Sequence, residues 1–220
     1  MKINSNHARA AVLGCALVLL SGGAAAGTTL AGNNVSYQFD AGELGLFGSA
    51  SVVGGNLVFT PAGFSADGPL GFASETINIT VMADAGYVLT GFGLQETGGY
   101  AGDAESAYAT GTFTAIDIEG TTGKQLPVSF NGVNGGGTWT ADALIALPAS
   151  GWGGADGEVT SVTLTLSNQL FAVGDSSIWK NGVSISATAL PVPEADTYAM
   201  LLAGLGLVGF MARRRAGHTV

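Results

Sequence analysis

The sequence predicts an all-β domain, an antiparallel β-sandwich or jelly roll, set between two apolar end segments. Three observations lead there. Apolar and polar residues alternate with period two at Ile77/Ile79/Val81, Val162/Leu164/Leu166 and Val183/Ile185/Ala187, the pattern of half-buried antiparallel strands. Glycine pairs and Asn-Gly steps punctuate these runs as turns do. The aromatic residues supply a core, so the 36 glycines do not make this a disordered chain.

Further strands are expected over residues 35–40, 87–95, 110–119, 126–131 and 138–147, about ten in all, a number that suits one sandwich. Gly54-Gly55 and Asn181-Gly182 are read as two-residue hairpin turns. The segment Glu96 to Glu105, rich in glycine, is read as a loop presenting Glu96, Asp103 and Glu105. Trp139 and Trp179 fall in strand-like runs and are expected in the core, and the last strand runs into Pro191.

The end segments read as addresses rather than fold. Lys2 and Arg9 precede an apolar run from Ala10 to Leu20, and Ala24-Ala25-Ala26 offers small residues for a signal peptidase. Residues 1–26 are therefore expected to be a signal peptide, which would carry Cys15 away and leave no cysteine for disulfide or thiol chemistry. Residues 27–190 would form the exported domain. Near the other end, Thr197 to Ala212 is almost wholly apolar and is followed by Arg213-Arg214-Arg215. Sixteen helical residues span about 24 Å, short of a roughly 30 Å hydrocarbon core, and snorkelling arginines could make up the difference. A transmembrane helix is expected there, with its basic end held in the cytoplasm.

Charge narrows the function. From Gly27 to Pro193 there are fourteen acidic residues against Lys124 and Lys180 alone, a net charge of −12. Such a surface repels nucleic acid. The same stretch has no histidine, cysteine or arginine, which removes Ser-His-Asp and Cys-His catalysis, ordinary zinc sites and the bidentate arginine clamp. No enzyme activity is expected. What remains is oxygen-ligand chemistry. Glu96, Asp103 and Glu105 could hold calcium, although their spacing matches no calcium-loop pattern, and no other cofactor is expected. Trp152, flanked by glycines in Ser150-Gly151-Trp152-Gly153-Gly154, could expose its ring for sugar stacking or fold back over one end of the sandwich.

Between domain and apolar tail stands Val192-Pro193-Glu194-Ala195-Asp196-Thr197-Tyr198. The order Pro-Glu, apolar helix, arginine cluster resembles the PEP-CTERM sorting signal of Gram-negative bacteria, over residues 191–216 only. The resemblance implies recognition of Pro193 and Glu194 by an exosortase, a multi-spanning membrane transpeptidase, with Arg213, Arg214 and Arg215 as the stop signal. Ala195 stands where a second proline is usual. Pro191 and Pro193 would keep the segment extended before the helix, in a form that an active site can grip. The resemblance also implies export through the inner membrane, a transient C-terminal anchor, and a structural or adhesive role at the cell surface, in extracellular polysaccharide or biofilm. A carbohydrate-binding, lectin-like sandwich is the alternative.

Overall fold

A computed structural model describes residues 27–102, 106–120, 122–132, 135–147, 151–192 and 195–216. The signal peptide, Asp103, Glu105, Pro193 and Glu194 lie outside the described residues.

Twelve strands appear among the described residues. Sheet A runs in the order β1 (Thr28–Ala31), β2 (Val35–Phe39), β6 (Leu70–Ala83), β11 (Ser161–Val173), β8 (Ala107–Asp117), β9 (Gly123–Asn131). Sheet B runs β10 (Gly137–Ala146), β7 (Tyr87–Ala101), β12 (Ser177–Pro191), β4 (Asn56–Thr60), β3 (Ser49–Val53), with β5 (Ser65–Asp67) also paired to β12. Every pairing is antiparallel. The chain crosses between sheets from β6 to β7 to β8, and from β9 to β10 to β11 to β12, so the strands expected from alternation interleave as two layers of a sandwich.

The alternation fixes which side of each strand faces inward. In β11 the residues Val162, Leu164, Leu166 and Leu170 are fully buried while the residues of opposite parity are not. In β6 the same parity buries Ile77, Ile79 and Val81. One end of the core is aromatic. Phe47 stands 5.6 Å from Phe59 and 5.7 Å from Phe64, ring centre to ring centre, in tilted and edge-on contacts.

Gly54 and Gly55 form the expected hairpin between β3 and β4, both with positive φ, the geometry that a two-residue turn between twisted strands needs. Asn181-Gly182 does not. Residues on either side of it belong to one continuous strand, β12, and the register against β7 shifts between Lys180 and Gly182. The extra residue is absorbed as a bulge, which leaves both Lys180 and Val183 pointing inward.

Glu96 to Ala101 is likewise strand rather than loop, the second half of β7. Its glycines make room for tryptophan. A Cβ on Gly98 would lie 2.4 Å from the Trp139 ring, and one on Gly99 2.3 Å from the Trp179 ring. The two indoles therefore lie on the same stretch of backbone from opposite faces of sheet B. Trp139 is in the core, as expected, and its Nε1 donates to the carbonyls of Gly99 and Trp179, both at 3.2 Å. Trp179 is not, being on the outer face and 38% exposed.

After β12 comes one helix, α1 (Ala195–Ala216). It forms where the membrane anchor was expected, but no helix among the described residues is long and apolar enough to cross a membrane. Gly204, Gly206 and Gly209, with Asp196 at one end and the arginines at the other, dilute its apolar length.

Candidate functional site

Three places on the molecule carry unusual chemistry: the centre of the core, the outer face of sheet A, and the tail. In the core, Glu96 on β7, Asn168 on β11 and Lys180 on β12 all occupy inward positions of their strands, at 1%, 2% and 4% exposure. Lys180 Nζ is 2.8 Å from Glu96 Oε2 and donates to Asn168 Oδ1. The ammonium also lies 5.3 Å from the centre of the Phe64 ring and 5.5 Å from that of Trp139.

Two polar atoms of this cluster, Glu96 Oε1 and Asn168 Nδ2, have no hydrogen-bond partner. Burial pushes the Lys180 ammonium below its ordinary pKa, and the neighbouring Glu96 carboxylate opposes that shift. The cluster is thus a charged, partly unsatisfied island sealed between the sheets, where low polarity strengthens each contact and penalises each missing one.

This placement corrects the calcium reading at Glu96, whose carboxylate lies in the core beside Lys180 and not on a surface loop. Among the described residues no group of three or more acidic, histidine or cysteine side chains could hold a metal ion. Of the two readings of Trp152, sugar platform or cover over one end of the sandwich, the structure has the second. Its indole is 4% exposed, which leaves no free face for a sugar, so it covers one end of the sandwich. The loop is drawn in by Asp117, also buried, whose Oδ2 accepts from the backbone N–H of Gly153 at 2.7 Å and whose Oδ1 accepts from that of Glu119 at 3.0 Å. A Cβ on Gly153 would meet the Glu158 backbone at 2.4 Å, so this glycine permits the close return of the loop rather than freeing the ring.

The outer face of sheet A has a different character. Phe72 on β6, Phe171 on β11 and Tyr108 on β8 are in register across three neighbouring strands. Phe171 stands 4.9 Å from Phe72 and 4.7 Å from Tyr108, the latter nearly parallel at 12°. Phe72 is 56% exposed. Along all six strands, the outward positions carry no Asp, Glu, Lys or Arg; serine, threonine, asparagine and glutamine dominate them. In a domain of net charge −12 this is a whole face without charge.

At the exit to the tail, Pro191 is still paired with Tyr87, and the Val192 N–H donates to the Gly86 carbonyl at 2.8 Å. An apolar cleft of about 470 Å³ opens beside this junction, lined by Val88, Leu147, Val159, Leu190 and Val192 among others. Beyond it, α1 exposes Met200, Leu202, Leu207, Val208 and Phe210. Arg213 is exposed on the last turns of the same helix, and Arg214 and Arg215 follow it.

The island was missed by sequence reasoning, though its signal was present. Glu96 has the parity of Phe92 and Leu94, Asn168 that of Leu166 and Leu170, and Lys180 that of Ile178, so each is a polar residue at an apolar position of its strand.

No curated protein is similar to this chain in sequence. Among solved structures, TmCBM61 in complex with β-1,4-galactotriose is similar at 8% identity and a TM-score of 0.28, over 72% of this chain and 91% of that one. The CBM22-2 xylan-binding domain from Paenibacillus barcinonensis Xyn10C is similar at 12% identity and a TM-score of 0.26, over 58% of this chain and 100% of that one. A family 29 carbohydrate-binding module from Piromyces equi is similar at 11% identity and a TM-score of 0.23, over 73% of this chain and 85% of that one. In the tail, residues 191–215 match the family model of the PEP-CTERM protein-sorting motif. The antiparallel sandwich thus hands its last strand directly to that segment, and the chain carries a PEP-CTERM protein-sorting motif.

Proposed function

We propose that this is an exported protein of a Gram-negative bacterium, sorted through its tail by an exosortase-type transpeptidase, with a structural or adhesive role in the extracellular polysaccharide or biofilm layer. The observation that carries the reading is continuity: the sorting motif begins at Pro191, the residue on which β12 ends. Little free chain therefore separates the sheet from the Pro193-Glu194 pair that the enzyme would grip. The exposed apolar side chains of α1 have no cover on the sandwich and suit a helix handed to a membrane enzyme. Arg213, Arg214 and Arg215 then act as the stop on the cytoplasmic side, and signal peptidase removes residues 1–26. The protein is not an enzyme in this reading.

Fractionation of a producing host tests it. With the sorting enzyme intact, the protein should be found in the extracellular matrix; without the enzyme, it should stay with the membrane fraction. An unchanged distribution in the enzyme-deficient host would overturn the assignment.

A second reading, a carbohydrate-binding sandwich, is favoured by the outer face of sheet A. Sugar rings stack on aromatic faces, and a neutral, hydroxyl-rich and amide-rich sheet has hydrogen bonds to offer without charge. This reading places the stacking residues at Phe72, Tyr108 and Phe171 instead of Trp152. Co-sedimentation with the host's own polysaccharide should fall when Phe72 and Phe171 are changed to alanine. Equal retention of the parent and the double variant would remove this reading.

A further inference from the structure

We propose that Lys180 and Asn168 join through their side chains in an intramolecular isopeptide bond, formed once per chain with Glu96 as the proton carrier. The reacting groups are already assembled. Nζ of Lys180 touches the side-chain amide of Asn168 through Oδ1, and the Glu96 carboxylate lies 2.8 Å from the same nitrogen. All three side chains are sealed from water between the sheets, with the Phe64 and Trp139 rings close over the ammonium. Water would compete with the amine for the amide carbon, and its exclusion favours aminolysis.

The chemistry balances without any outside reagent. The Lys180 ammonium gives a proton to Glu96 Oε2, leaving a neutral amine, the form that burial already favours. The amine lone pair attacks Cγ of Asn168 and a new Nζ–Cγ bond forms. The Cγ–Nδ2 bond breaks as Glu96 passes the proton to the leaving nitrogen, and a second proton from Nζ follows by the same carboxylate. One C–N bond is made, one is lost, and the nitrogen departs as an ammonium ion, that is, ammonia with the proton that Lys180 brought, so that Glu96 is left as the carboxylate it was at the start.

This reaction also accounts for the two unsatisfied atoms. A merely structural ion pair would leave Asn168 Nδ2 and Glu96 Oε1 buried without partners, each at a cost. As the leaving group, Nδ2 disappears from the core. Glu96 holds the Lys180 nitrogen with Oε2 and keeps Oε1 free to carry a proton during the reaction, and afterwards one of the two oxygens accepts from the new amide N–H.

The bond would tie β11 in sheet A to β12 in sheet B, across a separation of 12 residues. Because β12 is the strand that leads to the sorting motif, tension applied at Pro191 that strips β12 back as far as Lys180 would be passed covalently to sheet A there, and peeling would stop at that residue. This goes beyond sorting and holds whether or not the tail is cleaved.

Intact mass and peptide mapping of the purified folded protein test the proposal. The expected mass is lower than that of the sequence by one ammonia, and digestion should give a branched peptide joining residues 168 and 180. An asparagine that cyclises on its own backbone loses the same mass, so the branched peptide and its absence in Lys180→Arg decide between them. Glu96→Gln should show the full sequence mass with an unchanged β-sheet circular dichroism spectrum. A wild-type protein without the branched peptide overturns the bond, and this needs no variant to fold. A branched peptide that still forms in Glu96→Gln overturns the role given to Glu96.

Discussion

Strand β12 and helix α1 are neighbours in the chain and treat apolar side chains in opposite ways. Ile178, Val183 and Ile185 of β12 are at most 1% exposed, whereas Leu202, Leu207 and Phe210 of α1 are 64–68% exposed. The residue types are similar, so hydrophobicity does not tell the two regions apart; periodicity does. Alternation in β12 sends every second side chain against sheet A, where burial stabilises each by about 1.5–3 kcal/mol. In α1 apolar residues surround the axis, which suits an apolar solvent or a partner and gives no single face for a sandwich to cover.

The sharpest test of that contrast is a matched pair of truncations in side-chain size. Phe59→Ala, in the aromatic end of the core, should cost about 3–5 kcal/mol and lower the thermal midpoint by many degrees. Leu207→Ala in α1 should leave the midpoint of the sandwich unchanged in the same melt. A comparable loss in both would mean that α1 is part of the folded domain.

Next in size is the island of charge within the core. Lys180→Ala strands the Glu96 carboxylate and also removes the bond proposed to Asn168, and should cost about 3–5 kcal/mol in denaturant unfolding. The double change Lys180→Met, Glu96→Leu should be more stable than that single variant, because apolar groups of similar volume remove the stranded charge. Smaller again is the effect of backbone room on β7. A Cβ on Gly98 would stand 2.1 Å from the Trp179 carbonyl oxygen, so Gly98→Ala should cost about 1–3 kcal/mol while keeping the fold. The smallest effect on stability belongs to the outer face of sheet A. Phe171→Ala there should shift unfolding by about 1 kcal/mol or less, and any loss of polysaccharide retention in it would then report on contact rather than on folding.

Much of the architecture was legible because alternation is a local signal. Residues 77–81, 162–166 and 183–187 read as strands and are strands, and Gly54-Gly55 reads as a turn and is one. Short strands without alternation, β1 and β5, were not visible, since three or four residues give the pattern too little length to repeat. Two glycine signals misled for one reason. Gly98-Gly99 and Asn181-Gly182 look like turns, but they serve close packing and a bulge, which only the tryptophans against the first pair and the register of β12 against β7 at the second reveal.

The site was legible in unequal parts. The sorting motif is contiguous, so residues 191–215 could be read in one pass. Glu96, Asn168 and Lys180 come from three strands, and nothing in their spacing says that they meet. The row of Phe72, Tyr108 and Phe171 depends on register across β6, β11 and β8, which hydrogen bonding between distant segments sets. Trp152 reads both ways in the sequence, as an exposed platform or folded back over the sandwich, and the structure has the second, because its flanking glycines let Asp117 draw the loop inward.

The most direct test of the sorting account is the mass of the mature protein from a host with its exosortase intact and from one lacking it, alongside a Pro193→Ala, Glu194→Ala variant. The account predicts a species that lacks the helix α1 only when both the enzyme and the Pro-Glu pair are present. A full-length C-terminus in every sample would contradict it and leave the tail as a plain membrane-directed helix.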